Sequence, residues 1–198
     1  SEDESITVPT QYTVTLTAHR GKCGQKAERI ITAYPKVKPE FTVEQSEFCS
    51  PTKMRIKNST KNGMTFDWTI TGVGLTPVTI PSTTTLDDVE TPDLINTNSN
   101  NEIDITLRLL AKADYGGGLV CQNSKEATYK LLPPVKAQFT PSVTIGCNPL
   151  DVNITNLSTG LGSYSWYVDG SPMGTEAQPT FRFENTDKEN PRNLVLRV

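Results

Sequence analysis

Histidine is almost missing from this chain: His19 is the only one in 198 residues. That excludes a multi-histidine zinc centre and leaves His19 as the sole candidate for a serine–histidine relay. Nothing near it in the sequence supplies a nucleophile and an orienting acid, so it reads as a solvated strand-end residue beside Arg20. No catalytic, cofactor-binding or metal-binding residue is assigned, and the chain is read as non-enzymatic. Basic blocks are missing too. Nineteen Lys and Arg stand against twenty-two Asp and Glu, a net charge of -3, and this balance argues against a nucleic-acid partner. No run approaches the ~20 apolar residues of a membrane-spanning helix. The opening Ser1-Glu2-Asp3-Glu4-Ser5 has neither a basic start nor an apolar stretch, so no signal peptide is written here. Together with the cysteines and the repeat described next, this reads as a mature or excised piece.

What is present is an internal repeat, at an offset of 98 residues. Cys23 matches Cys121, and Val37–Thr42 matches Val135–Thr140. Cys49 and Pro51 match Cys147 and Pro149; Phe66 and Trp68 match Tyr164 and Trp166; Gly72 matches Gly170. Beyond Gly72 the frame slips. Thr106-Leu107-Arg108-Leu109 matches Val195-Leu196-Arg197-Val198 at an offset of 89, so the first unit holds about nine extra residues, expected as an enlarged surface loop over 73–100. Three segments follow: 1–36 as the last strands of a preceding unit, 37–134 as one complete unit, and 135–198 as the first part of a following unit. The chain reads as a window on a longer array, with missing strands supplied by flanking sequence or by another chain.

Apolar residues alternate with polar ones almost throughout, the period of a strand. Tyr12, Val14, Leu16 and Ala18 predict a half-buried strand with threonines on its other face. The pattern recurs at Met54 and Ile56, at Phe66–Ile70, at Val78 and Ile80, at Ile103–Leu109 and at Tyr129 and Leu131. It returns at Val152 and Ile154, at Tyr164–Val168, at Phe181 and Phe183, and at Leu194, Leu196 and Val198. Fourteen prolines and thirteen glycines cut these strands short. Gly116-Gly117-Gly118 reads as a hairpin tip and Asp169-Gly170 as a tight turn. Ser82–Asp93 has room for one helical turn and nothing longer. The expected fold is all-β: tandem sandwiches of antiparallel sheets, immunoglobulin-like, with Trp68 and Trp166 facing the opposite sheet. The junctions Tyr34–Pro39 and Leu132–Lys136 are short, carry proline and lack glycine, which predicts a semi-rigid rod.

Cys23, Cys49, Cys121 and Cys147 are spaced unlike any zinc motif and point to an oxidising compartment. Four cysteines allow three pairings. An immunoglobulin-like strand order puts Cys49 and Cys121 at opposite ends of one sandwich, too far for a bond that needs Cα atoms within about 7 Å. A cross-link between neighbouring units, distorted first strands, or unpaired thiols are the alternatives.

The segments Gly146–Gly160 and Ser163–Gly170, followed by Pro179–Phe183, resemble a PKD domain, and Tyr12–Thr17 with Gly21-Lys22-Cys23 is similar to that family's late strand and hairpin. The cysteine placement is similar to that of PKD-like repeats in large secreted Bacteroidetes proteins, including gliding adhesins exported by the type IX secretion system. The family's Trp-Asp-Phe-Gly-Asp-Gly core is replaced here by Trp166-Tyr167-Val168-Asp169-Gly170 and Trp68-Thr69-Ile70-Thr71-Gly72. The resemblance implies a β-sandwich at the cell surface or outside the cell, serving as spacer, adhesion or protein-contact module, with no catalytic residues. Its partners would be neighbouring domains of the same chain, and a surface polysaccharide or another surface protein.

Asp67 reads as an outward strand residue. Asp87, Asp88, Glu90 and Asp93 cluster in the enlarged loop; hydration is the plain reading and calcium the alternative, although EF-hand spacing is absent. Asn58, Asn153 and Asn156 begin sequons, which in a bacterial chain read as turn chemistry. Tyr167 and the 73–100 loop are the candidate contacts for a glycan or a protein, against ordinary cross-strand packing. Stalk segment, binding module and accessory domain of a secreted hydrolase are the three functional expectations.

Overall fold

The computed structural model describes residues 7–98, 100–160 and 163–185, and the backbone of Leu196–Arg197. Every regular element among them is a strand. The helical turn expected within Ser82–Asp93 does not form; that segment instead contributes the short strand Val89–Glu90. Leu194 and Val198 lie outside the described residues.

The chain opens with a two-stranded hairpin, β1 (Thr10–Arg20) and β2 (Cys23–Ala33). Next come β3 (Phe41–Val43), β4 (Glu47–Cys49), β5 (Arg55–Asn58), β6 (Thr65–Thr71), β7 (Val89–Glu90), β8 (Ile103–Asp114) and β9 (Val120–Leu132). They form a three-stranded sheet β3-β5-β7 and a four-stranded sheet β4-β9-β8-β6. All pairings in them are antiparallel except β4, which runs parallel to β9. β10 (Phe139–Pro141), β11 (Leu150–Asn156), β12 (Trp166–Val168), β13 (Ser171–Gly174), β14 (Thr180–Phe183) and β15 (Leu196–Arg197) follow. These make sheets β10-β11-β14 and β13-β12-β15.

Alternation decides which faces are buried. In β6, Phe66, Trp68 and Ile70 are buried, and in β8 so are Ile105, Leu107, Leu109, Ala111 and Ala113. The Trp68 ring meets Phe41 of the facing sheet edge-on, with centroids 5.6 Å apart. Met54, Ile56, Leu94 and Leu131 complete this core with no exposed surface. A second, smaller core holds Val152, Ile154, Trp166 and Phe181. There Trp166 meets Phe139 edge-on at 5.5 Å and Phe181 at 6.2 Å. In both places a tryptophan of one sheet packs against an aromatic of the other, the arrangement of a sandwich.

The offset of 98 residues recurs in the geometry. Phe41 faces Asn58 as Phe139 faces Asn156, and the lone bridge Lys38–Lys61 has its counterpart in Lys136–Thr159. The Asn58 carboxamide oxygen accepts the Thr60 amide as that of Asn156 accepts Ser158. Ser50-Pro51 and Asn148-Pro149 are both cis. The slip is there too. Arg55 faces Glu90 and Asn153 faces Thr180, so the offset has fallen to 90 by β7. Thr69 faces Arg108 and Tyr167 faces Arg197, an offset of 89. Eight of the nine extra residues therefore lie before Glu90.

The 73–100 segment that holds these extra residues lies largely at the surface, as expected, but is fastened at several points. Ile80, Leu94 and Asn96 are buried, and bridges join Thr83 to Phe66 and Leu94 to Thr52. The matched glycines Gly72 and Gly170 serve different needs. A Cβ at Gly72 would sit 2.8 Å from the Asp104 carbonyl oxygen, whereas Gly170 has φ +83° in a two-residue turn with Asp169 at +48°.

The strand expected to be half-buried at Tyr12–Ala18 differs from the reading. Tyr12, Val14 and Leu16 are 53%, 51% and 67% exposed. Pairing Cys23 with Cys121 makes Ala33 the counterpart of Leu131, and the registers then set Tyr12, Val14, Leu16 and Ala18 against Ile105, Leu107, Leu109 and Ala111. The same stripe is fully buried in β8 and bare in β1, because no second sheet faces the first hairpin among the described residues.

Candidate functional site

Three surfaces are candidates for contact. The first is the β1–β2 hairpin. One face of the pair exposes Tyr12, Val14, Leu16 and Ile31, while Ile30 lies on the other face opposite Thr13, and the outer edge of β2 carries no neighbouring strand among the described residues. An apolar face with an open edge is a template for another strand or sheet. His19 sits at the end of β1 opposite Gly24, whose missing side chain makes room for the imidazole: a Cβ there would lie 2.8 Å from Nδ1. No acid or nucleophile is brought to it by any hydrogen bond found among the described residues.

The second is a shallow cleft of about 330 Å³ along the β4–β9 edge, lined by Ser46, Glu47, Asp104, Thr128, Tyr129 and Lys130. Lys130 pairs with Glu102 and Asp104, and its ammonium is held above the usual lysine range, first by the hydrogen bond to Glu102. Tyr129 packs edge-on against Phe48, with centroids 6.3 Å apart, and burial raises its phenol pKa. The cleft thus offers one aromatic edge and a salt-bridged rim, a surface suited to weak polar contact.

The third is the segment 73–100. Its acidic residues do not converge. Glu90 is turned to Lys53 at 3.4 Å and Arg55 at 3.5 Å, while Asp87, Asp88 and Asp93 are exposed. Among the described residues no three His, Cys, Asp or Glu side chains gather as a metal-ligand set. What the sequence reading missed is how this segment is fastened. The Asp67 carboxylate accepts from Ser82 Oγ at 2.5 Å and from Lys112 Nζ at 2.6 Å. The Lys112 bond first, then the Ser82 bond, hold its pKa below the ordinary aspartate value. Asn96 fastens the other end: its buried Nδ2 donates to the carbonyls of Asn101 and Leu131, and its amide donates to Ser50 Oγ at 2.9 Å. Polar residues in a long insertion carry no periodic signal, so neither anchor was visible beforehand.

The sequon asparagines serve turns. Asn58 is buried and caps Thr60; Asn156 caps Ser158; Asn153 Oδ1 accepts from Thr180 Oγ1 at 2.7 Å. Tyr167 is 39% exposed and faces Pro172 and Arg197 across its two neighbours. The four cysteines are free thiols, three exposed and Cys121 half-buried. Among the described residues no helix is long and apolar enough to cross a membrane. In comparisons with family models, curated proteins and solved structures, nothing matches this chain.

Proposed function

We propose that this chain is a non-enzymatic stalk segment of a large bacterial surface or secreted protein that supports adhesion or gliding motility. On this reading residues 37–134 are one complete immunoglobulin-like, PKD-like unit. Residues 1–36 are the closing hairpin of the unit before it, and 135–198 open the unit after it. The observation that carries the reading is the junction between the hairpin and the complete unit. The Tyr34 ring lies against Tyr115, with centroids 4.2 Å apart. Val37 is 2% exposed within the unit core, and its carbonyl accepts from Asn123 Nδ2 at 3.2 Å. Asn62 Nδ2 donates to the Lys36 carbonyl at 3.0 Å. A junction packed in this way transmits orientation from one unit to the next, which a spacer needs and a flexible linker lacks. The compartment in this reading is extracellular or outer-membrane associated, and the neighbouring domains of the same chain are the primary partners.

Small-angle scattering on the chain tests the rod. A compact domain of this length has a radius of gyration of about 16 Å. The hairpin, the complete unit and the opening unit end to end, with longest strands of about 36, 43 and 23 Å at ~3.3 Å per residue, approach ~30 Å. A value near the compact figure overturns the stalk reading. The alternative is an accessory module that binds polysaccharide or protein, favoured by the cleft beside Tyr129. A glycan array separates the two: selective binding that Tyr129→Ala removes supports the module.

A further inference from the structure

We propose that Cys121 forms a disulfide across the junction, to a cysteine on a β4-type strand that adds in parallel to the open edge of β2. The proposal rests on the tandem-unit reading and deepens it by naming how adjacent units are linked.

No pair within one unit can bond. Cys49 ends β4 beside Leu132, and Cys121 opens the same β9 strand at its other end. Eleven residues of extended chain separate the two sites, about 36 Å at ~3.3 Å per residue. That is far beyond the ~7 Å limit between Cα atoms.

The hairpin registers say where the missing partner belongs. Cys23 and Cys121 face β1 and β8 near the hairpin turns, and Ala33 is the counterpart of Leu131. Tyr34 is then the counterpart of Leu132. In the complete unit Leu132 is the register partner of Cys49, with the Ser50 amide donating to the Leu132 carbonyl and the Lys130 amide to the Ser46 carbonyl. A strand of the same kind on β2 would set its cysteine beside Tyr34, on the same face as the Tyr34 side chain, since register partners share a face. That face leads to the next unit: the Tyr34 ring lies tilted against Tyr115, and Tyr115 and Cys121 are each packed against the 37–134 core. Cys121 is the least exposed of the four thiols because it sits in this cluster. The same relation places Cys49, at the far end of its unit, toward the Cys121-type residue of the unit that follows.

In the native setting the two thiols lose two protons and two electrons to a disulfide-bearing oxidoreductase, which leaves as a dithiol. The test needs only exchange. A peptide of residues 44–53, its Cys49 carried as a mixed disulfide with thionitrobenzoate, is added to the chain. The Cys121 thiolate attacks the peptide sulfur, one S–S bond forms, one breaks, and thionitrobenzoate leaves as a coloured anion. The captured site is mapped by mass spectrometry. The expected result is capture at Cys121 at least tenfold faster than by a scrambled peptide, and ahead of the more exposed Cys23, Cys49 and Cys147. Cys121→Ser removes the fast phase, and Thr32→Pro, which deletes the edge amide equivalent to that of Lys130, slows it severalfold. Equal rates for both peptides, fastest capture at another cysteine, or an intrachain Cys49–Cys121 bond in non-reducing maps overturns the proposal. If capture fails while both indoles stay protected from acrylamide, the cross-link falls and the two packed units remain.

Discussion

The two tryptophans occupy matching places but are not bonded alike. Trp166 Nε1 donates to the Glu176 carbonyl at 2.7 Å, whereas Trp68 Nε1 has no hydrogen-bond partner among the described residues. Replacing either with alanine removes the largest plug of its core and costs about 3–5 kcal/mol. Replacing either with phenylalanine separates packing from hydrogen bonding. Trp166→Phe is expected to cost about 1 kcal/mol more than Trp68→Phe in urea titrations, because only Trp166 leaves a carbonyl unpaired. Asp67 supplies a second prediction. Its folded pKa lies below the unfolded value, so its contribution is present above roughly pH 4 and is lost as pH falls through the folded pKa. The pair is about a third exposed, so the effect is a few tenths to about 1 kcal/mol. Urea midpoints for Asp67→Asn should fall below wild type at pH 7 and converge on it near pH 2. An undiminished gap at pH 2 contradicts this account of Asp67.

Strands were legible over most of the stretches where burial imposed alternation, although the alternation at Val78 and Ile80 forms no strand. Phe66, Trp68 and Ile70 and the stripe Ile105–Ala111 could be read because one face is apolar and the other polar, and they pack as that pattern requires. The offset of 89 was legible for the same reason, since Leu107-Arg108 and Leu196-Arg197 hold equivalent register positions. What stayed hidden depended on long-range pairing. β4 has three residues and exists because the β9 edge accepts it; its counterpart Ile145–Cys147, with no β9-type strand beside it among the described residues, is not a strand. The exposure of β1 was hidden as well, because alternation reports a face suited to burial without saying whether anything covers it. The hairpin is therefore the element whose context matters most. Two strands alone are marginal in water. Amide exchange should be fast across Thr10–Ala33 and slow across Ile103–Leu132, although both hairpins share one design. Likewise Val14→Thr should change stability by no more than about 0.5 kcal/mol. Its counterpart Leu107→Ala should cost about 2–5 kcal/mol. Equal costs would mean that the hairpin face is already covered.

At the scale of the whole molecule the two cores are unequal. The larger gathers seventeen buried apolar residues and the smaller four among the described residues. Apolar burial sets most of a domain's stability, so the smaller core should melt first. Emission from the Trp68→Phe variant, which retains Trp166, should shift at lower urea than emission from Trp166→Phe, which retains Trp68. Coincident transitions would make the chain one cooperative body. The claim beneath all of this is that one two-layer arrangement occurs twice, with an indole of one sheet meeting an aromatic of the other. The direct measurement is the pair of nuclear Overhauser contacts between indole and phenyl protons. Trp68 should show contacts to Phe41, and Trp166 to Phe139 and Phe181, with both indoles shielded from solvent. If either indole lacks these contacts, or is open to water, the two places are not equivalent and the repeated-unit account fails.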